Sequence, residues 1–453
     1  MPGHERSTRL FRFTSALIAL PLAFLPALAA AQDLLTVYRE AAAYDAVYSA
    51  AKRTAEAGRE KGSQGLALLL PSLNLSAGVS RLRNELDSHQ PLLLPSTTRY
   101  PESASYTLTF TQPLFRRQNW AQYEQGGVQV RQAEMTLSQA QQDLILRVSQ
   151  AYFDVLGAAD TLELVRAQTA AISEQLAQAK RNFEVGTATI TDTHEAQARY
   201  DLSASQEIAA RNDLETKRRQ LQLITGKAYP ELKTLRPDIK LPPPNPDSMT
   251  AWAELAEKQN YQVLIAEATA EVAQLEARRS SGAHWPTLDF VASHGYSAQN
   301  STSDSSIGRD TQITRIGLEF QMPLYQGGGL SSRSRESAAL SLKAKEDLDN
   351  TRRGAVLLAQ QTYLSVINGI TQITALEQAL VSSQSALDSN KLGYEVGVRI
   401  NIDVLNAQQQ LFSTRRDLAV ARYNTITNQL RLKATAGSLR EEDLEEVNRA
   451  LGP

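Results

Sequence analysis

Cysteine is absent from the 453 residues, which excludes a disulfide framework and a lipid-modified N-terminal Cys. Long apolar runs are missing too: after residue 31 no stretch reaches eighteen apolar residues, so no membrane-spanning helix is expected. The other architecture that crosses a bilayer is a closed β-barrel, and its signal is alternation. Neither sign of charge dominates. Without Arg6, Arg9, Arg12 and Glu5, the 47 basic and 49 acidic residues become 44 and 48, a net of −4, which gives no bulk attraction to nucleic acid. The five His (4, 89, 194, 284 and 294) show no zinc-type spacing, so no metal is expected. Gly327-Gly328-Gly329 stands where a phosphate loop would, but no Gly-Lys-Ser/Thr follows. These glycines read instead as a free strand-to-helix junction. No GxSxG elbow occurs. The pattern predicts neither an enzyme nor a cofactor. Proline is absent between Pro113 and Pro230 and between Pro323 and Pro453, which leaves room for very long helices.

What is present begins with residues 1–31, which read as a signal peptide. A basic start precedes an apolar run over 13–28, and Ala29-Ala30-Ala31 offers a cleavage site before Gln32. A membrane anchor is the competing reading; the run is short for one, and Pro21 and Pro26 interrupt it. The chain then repeats itself. Phe183-Glu184-Val185-Gly186 returns as Tyr394-Glu395-Val396-Gly397, and Ala151-Tyr152 as Thr362-Tyr363, both 211 residues on. Pro113 returns as Pro323, 210 on. The expected organisation is a first repeat over 32–240, a Pro-rich linker over 241–250, a second repeat over 251–440 and an acidic tail over 441–453. Each copy predicts an opening helix (34–69 and 252–281), two strands, a long helix and a returning helix. Two copies are too few for a solenoid, so the unit is expected to complete itself by oligomerising.

Alternation appears twice per copy. Leu73, Leu75, Ala77 and Val79 oppose Asn74, Ser76, Gly78 and Ser80. The same period recurs over 106–111, 288–293 and 316–322. Asp289 and Glu319 fall on the polar face, which suits a wet lumen better than a packed core. The intervening segments, 88–102 and 297–311, read as surface loops. Aromatic residues cluster near the strand ends, at Tyr100, Phe115, Trp120, Trp285, Tyr296 and Tyr325. Taken alone, these strands also suit the edge of a soluble sandwich. Eight strands are about the minimum for a membrane barrel, so four would have to be joined by strands from other chains.

From Leu144 to Phe183 the apolar and small positions step by four and three, and the pattern returns from Ala355 to Tyr394. A continuous helix from Phe115 to Phe183 would span on the order of 100 Å at 1.5 Å per residue. Each long helix is expected to end near Gly186 or Gly397. Asp192 and Asp403 then fall where an acidic N-cap is favoured. Asp403 and Asn406 share a helix face, and copies around an axis would form a ring that favours cations. Tyr394 and Arg399 lie within reach of a hydrogen-bonded partner such as Thr191 or Asp192 of the other copy. From spacing alone these residues also read as ordinary caps of an exposed turn. The acidic tail, Glu441 to Glu446, reads as a solvated helix end or a docking segment.

Tyr394-x-x-Gly397 with Arg399, then Ile402-Asp403-Val404-Leu405, and Ala421-Arg422-Tyr423-Asn424 through to Gly437 resemble the TolC family of outer-membrane channel proteins. Val185-Gly186, Thr191-Asp192 and Ile224-Thr225-Gly226 resemble the family's first repeat. The resemblance covers nearly all of the mature chain. It implies a mixed α and β membrane protein: a homotrimer with a twelve-strand outer-membrane β-barrel, four strands per chain, continued by a periplasmic α-helical barrel. It implies a tube that tapers shut at Gly186 and Gly397, with Asp403 at the entrance gate. Asn406 stands where the family has a second aspartate. Tyr394 and Arg399, with Thr191 and Asp192, match a latch of the closed state. The implied partners are outer-membrane lipid, a periplasmic adaptor and an inner-membrane ABC transporter or other pump. The overall match looks most similar to the type I secretion branch, which exports protein. Multidrug efflux is the alternative, and a structural periplasmic coiled-coil adaptor a second one.

Overall fold

The computed structural model describes residues 31–87, 89, 97–236, 239–301 and 307–452. The expected signal peptide lies almost wholly outside the described residues, as do parts of both expected loops and Pro453. In chain order the elements are α1 (Leu34–Tyr44), α2 (Ala46–Ala67), β1 (Ser72–Arg81), β2 (Asn84–Leu86), β3 (Thr97–Arg99), β4 (Glu102–Phe115), α3 (Arg117–Glu184) and α4 (Ile190–Thr225). There follow α5 (Met249–Gln259), α6 (Tyr261–Gly282), β5 (Thr287–Gln299), β6 (Arg309–Gln321), α7 (Gly329–Glu395), α8 (Asn401–Thr435) and α9 (Glu441–Ala450). Apart from the β2–β3 hairpin and α9, both halves follow the same order.

Each opening helix, expected as one rod, is broken in two. The Asp45 carboxylate accepts from Tyr48 N at 2.7 Å and so starts α2. Asn260 Oδ1 accepts from Gln262 N at 2.8 Å and starts α6, while its Nδ2 donates to Thr435 O at 2.8 Å. A short polar side chain that satisfies free N–H groups nucleates a new helix at a new angle. Asp45 also receives both guanidinium nitrogens of Arg147, each at 3.0 Å. Its carboxyl is held below the ordinary range, first by that hydrogen-bonded arginine.

The helices α3 and α7 have 68 and 67 residues, about 100 Å each at 1.5 Å per residue. Both lack proline, and their small and apolar stripes face neighbouring helices. The largest buried cluster lies midway along α3, where Leu144, Ile145, Val148 and Tyr152 meet Leu34, Val37 and Leu221. Tyr152 Oη donates to Lys233 O at 2.8 Å, tying the irregular inter-repeat segment to α3. The acidic tail keeps Glu442, Glu445 and Glu446 in solvent but is anchored at one face. It forms α9, which buries Leu444 in that cluster and sets Glu441 against Arg39 at 2.8 Å. Its acidic first turn also lies at the favoured end of the helix dipole.

Four of the strands form an antiparallel sheet in the order β1-β4-β5-β6, so the repeats join at β4–β5. Pro113 sits at an irregularity in β4 where the register shifts, as a residue without an N–H must. The segment 88–102, expected as loop throughout, contributes β3, which pairs with β2. The strands β5 and β6 also run farther into the expected loop 297–311 than the alternation predicts. One sheet face is apolar and uncovered: Leu73, Leu75, Val79, Ile316, Leu318 and Phe320 are 64–84% exposed. Ser, Thr and Gly predominate on the other face. Phe115, Trp120, Trp285 and Tyr325 stand exposed at its helix end. Water is a poor solvent for such a face; hydrocarbon is a good one.

Candidate functional site

The two long helices end in turns of the same geometry. Gly186 and Gly397 have φ of 80° and 79°, a region that only glycine enters without strain. Beyond them Thr187 N donates to Asn182 O, and Val398 N to Gly393 O, each pair closing its helix. Small apolar seams then pack the returning helices: Leu176, Ala179 and Ala196 in the first copy, Leu387, Val404 and Leu411 in the second.

The copies differ in what caps the returning helix. In the first, Thr189 and Asp192 form a capping box, and the Asp192 carboxylate accepts from Thr189 N at 2.9 Å and Thr189 Oγ1 at 2.8 Å. In the second, Ile400 occupies the cap and offers no side-chain acceptor. Asp403 therefore has no capping duty. Its side-chain partner is Arg399, one turn earlier, at 3.7 Å. The second turn thus holds its acidic group loosely, and the first holds its own tightly.

Within one chain the expected latch partners do not meet. Tyr394 Oη accepts from Asn182 Nδ2 at 3.2 Å, rather than bonding to Thr191 or Asp192. Thr191 is exposed, Asp192 is occupied by its own cap, and Arg399 turns to Asp403. Asn406 Oδ1 accepts from Arg199 Nη2 at 3.0 Å. Sequence reasoning missed Asn182 and Arg199. Their one signal was the repeat itself, which sets Asn182 against Gly393, an amide against no side chain, and Arg199 against Gln410, a charge against a neutral amide.

Asp289 and Glu319, expected to line a wet lumen, are directly paired in register on the polar face. Glu319 is exposed. Asp289 is not a free charge: it is buried and held in a fork by Arg116, with Nε to Oδ1 at 2.8 Å. Arg116 immediately precedes α3, so this pair clamps the junction of sheet and helix.

A family model described as Outer membrane efflux protein matches residues 37–227 and 252–438, one match per repeat. The chain belongs to the outer membrane efflux protein family. It is 34% identical over 452 residues to outer membrane protein TolC of Escherichia coli (strain K12), covering 96% of this chain and 88% of that one. It is 30% identical over 440 residues to the proteases secretion protein PrtF of Dickeya chrysanthemi, covering 96% and 95%. Among solved structures, the Campylobacter jejuni CmeC outer membrane channel is similar at a TM-score of 0.76 and 16% identity, over 92% of this chain and 90% of that one. Members of the outer membrane efflux protein family are transport conduits. The chain accordingly resides in the outer membrane, with its helices extending into the periplasm. Three copies contribute four strands each to one barrel, continued by a helical barrel. That explains both the uncovered apolar face and the unpaired edges of β1 and β6.

Proposed function

We propose that this protein is the exit duct of a tripartite export system that carries protein across the outer membrane, with no catalysis of its own. The observation that carries the reading is the two-faced sheet joined to two long helices that end in matching glycine turns. Its polar face is mostly Ser, Thr and Gly, which offers an extended polypeptide no large apolar hold. The relative named as a proteases secretion protein aligns over 96% of this chain, which supports a protein cargo. The driving energy comes from an inner-membrane ABC transporter or another pump, coupled through a periplasmic adaptor. Their docking opens the tips at Gly186 and Gly397. In the closed trimer, Arg399 and Tyr394 of one copy reach Thr191 and Asp192 of another, and Asp403 narrows the entrance. Arg399 is 59% exposed at its side chain and held in its own chain by the loose 3.7 Å pair with Asp403, which leaves it able to turn to a neighbouring chain.

Small-molecule efflux is the second reading, favoured by the description of the matching family. A photo-cross-linking residue at Thr187 or Val398, both on the exposed tips, separates the two in intact cells. Capture of a peptide-exporting ABC transporter with its adaptor is the expected result. Capture of a proton-driven drug pump instead overturns the protein-export reading.

A further inference from the structure

Arg199, on α4, reaches across to α8 in the other repeat. Its Nη1 donates to Gln409 Oε1 at 2.8 Å and its Nη2 to Asn406 Oδ1 at 3.0 Å. Among the described residues these are the only side-chain hydrogen bonds between α4 and α8. They lie about one to three turns into the returning helices, farther from the tips than the Asn182–Tyr394 bond that ties α3 to α7. A guanidinium carries five donors and no acceptor, and its charge is permanent. Here that charge is met by two neutral amides. Asn406 lies one helical turn beyond Asp403, whose own charge is met by Arg399.

We propose that Arg199 is the positioning residue and counter-ion of the 406 position, so that the entrance carries one acidic site per chain and resists a second. The inference rests on the reading of the paired turns as the channel entrance. A carboxylate placed at 406 would face the guanidinium at hydrogen-bond distance and gain a charge-assisted bond. It would tie the two repeats together more firmly and leave no free charge for cations. A ring of uncompensated carboxylates would do the opposite and bind divalent cations.

Purified full-length trimers in planar bilayers, with Mg²⁺ added on the helix-tip side, separate the two cases. N406D alone is expected to leave the half-blocking Mg²⁺ concentration within about twofold of the parent. R199Q/N406D is expected to lower it on the order of tenfold, since three carboxylates then face the axis unpaired. R199K/N406D keeps the charge without the fork and stays resistant to block. N406D is near-isosteric at an exposed position, so its block curve decides even if another variant fails to assemble. Strong Mg²⁺ block in N406D alone, with Arg199 intact, overturns the inference and leaves the channel reading standing. A parent protein that opens no channel overturns both.

Discussion

Two carboxylates, the buried Asp45 and the half-buried Asp160, pull stability in opposite directions with pH. Asp160 accepts from the Tyr423 hydroxyl at 2.6 Å, and Tyr423 stacks on Phe153 with ring centroids 5.5 Å apart. Burial raises the Asp160 carboxyl above its ordinary 3.8, only partly offset by the tyrosine, with nearby Glu163 adding to the rise. Arg422, beside Tyr423, is engaged with Glu377 at 2.8 Å. A raised carboxyl means that the folded state prefers the proton. The contribution of Asp160 is therefore complete below 3.8 and is lost as pH rises through its raised value. Asp45 has the reverse sign: its lowered carboxyl stabilises above the ordinary range, and that contribution is lost as pH falls. Asp160→Asn keeps an acceptor for Tyr423 and removes the charge. The variant trimer is expected to melt higher than the parent at pH 7 and alike at pH 4. An unchanged difference between the two pH values would show that Asp160 does not titrate in this window. Neither carboxylate's surroundings were legible in the sequence, since Asp160 meets a residue 263 positions away.

At the scale of elements, the long helices and their glycine turns were legible because both are local. Absence of proline and a sustained small-apolar stripe are properties of neighbouring residues, and φ near 80° demands glycine at that residue alone. The breaks at Asp45 and Asn260 were not legible. The helical pattern runs through both, and the break comes from an Asx side chain choosing the N–H groups ahead of it. Asn260 is further committed by its bond to Thr435, which only packing provides. The turns were legible in place but not in their in-chain partners. Tyr394 has an in-chain donor in Asn182, and Arg399 an ion-pair partner in the Asp403 carboxylate. Replacing Tyr394 by Phe and Arg399 by Ser together removes both contacts, and with them any bonds to a neighbouring copy. Single-channel conductance is expected to rise severalfold. Unchanged conductance would mean that these residues merely cap an exposed turn.

At the scale of the whole molecule, the sheet faces make contrasting demands. Leu318, on the uncovered apolar face, meets hydrocarbon in the assembled barrel, whereas Thr109, on the opposite face, meets water. Arginine on the lipid face costs about 2–4 kcal/mol at the membrane midplane and little on a wet lumen. Leu318→Arg, repeated in three copies, is expected to deplete assembled trimers from outer-membrane extracts. Thr109→Arg is expected to assemble normally and to lower conductance. Gel analysis of unheated detergent extracts measures the first effect and bilayer recording the second; equal depletion by both variants would contradict the assignment of faces.

Periodicity is written in the order of neighbouring residues, so the sequence by itself determined the strand alternation, the span of the two long helices, the two turns and the need for more strands than one chain holds. Contacts between distant residues depend on how those elements pack. Only the tertiary structure decided that Arg116 takes Asp289, that Arg199 takes Asn406, and that the acidic tail folds back on α1. A charged or amide side chain settles on whichever partner lies nearest in space, and no local pattern records that distance.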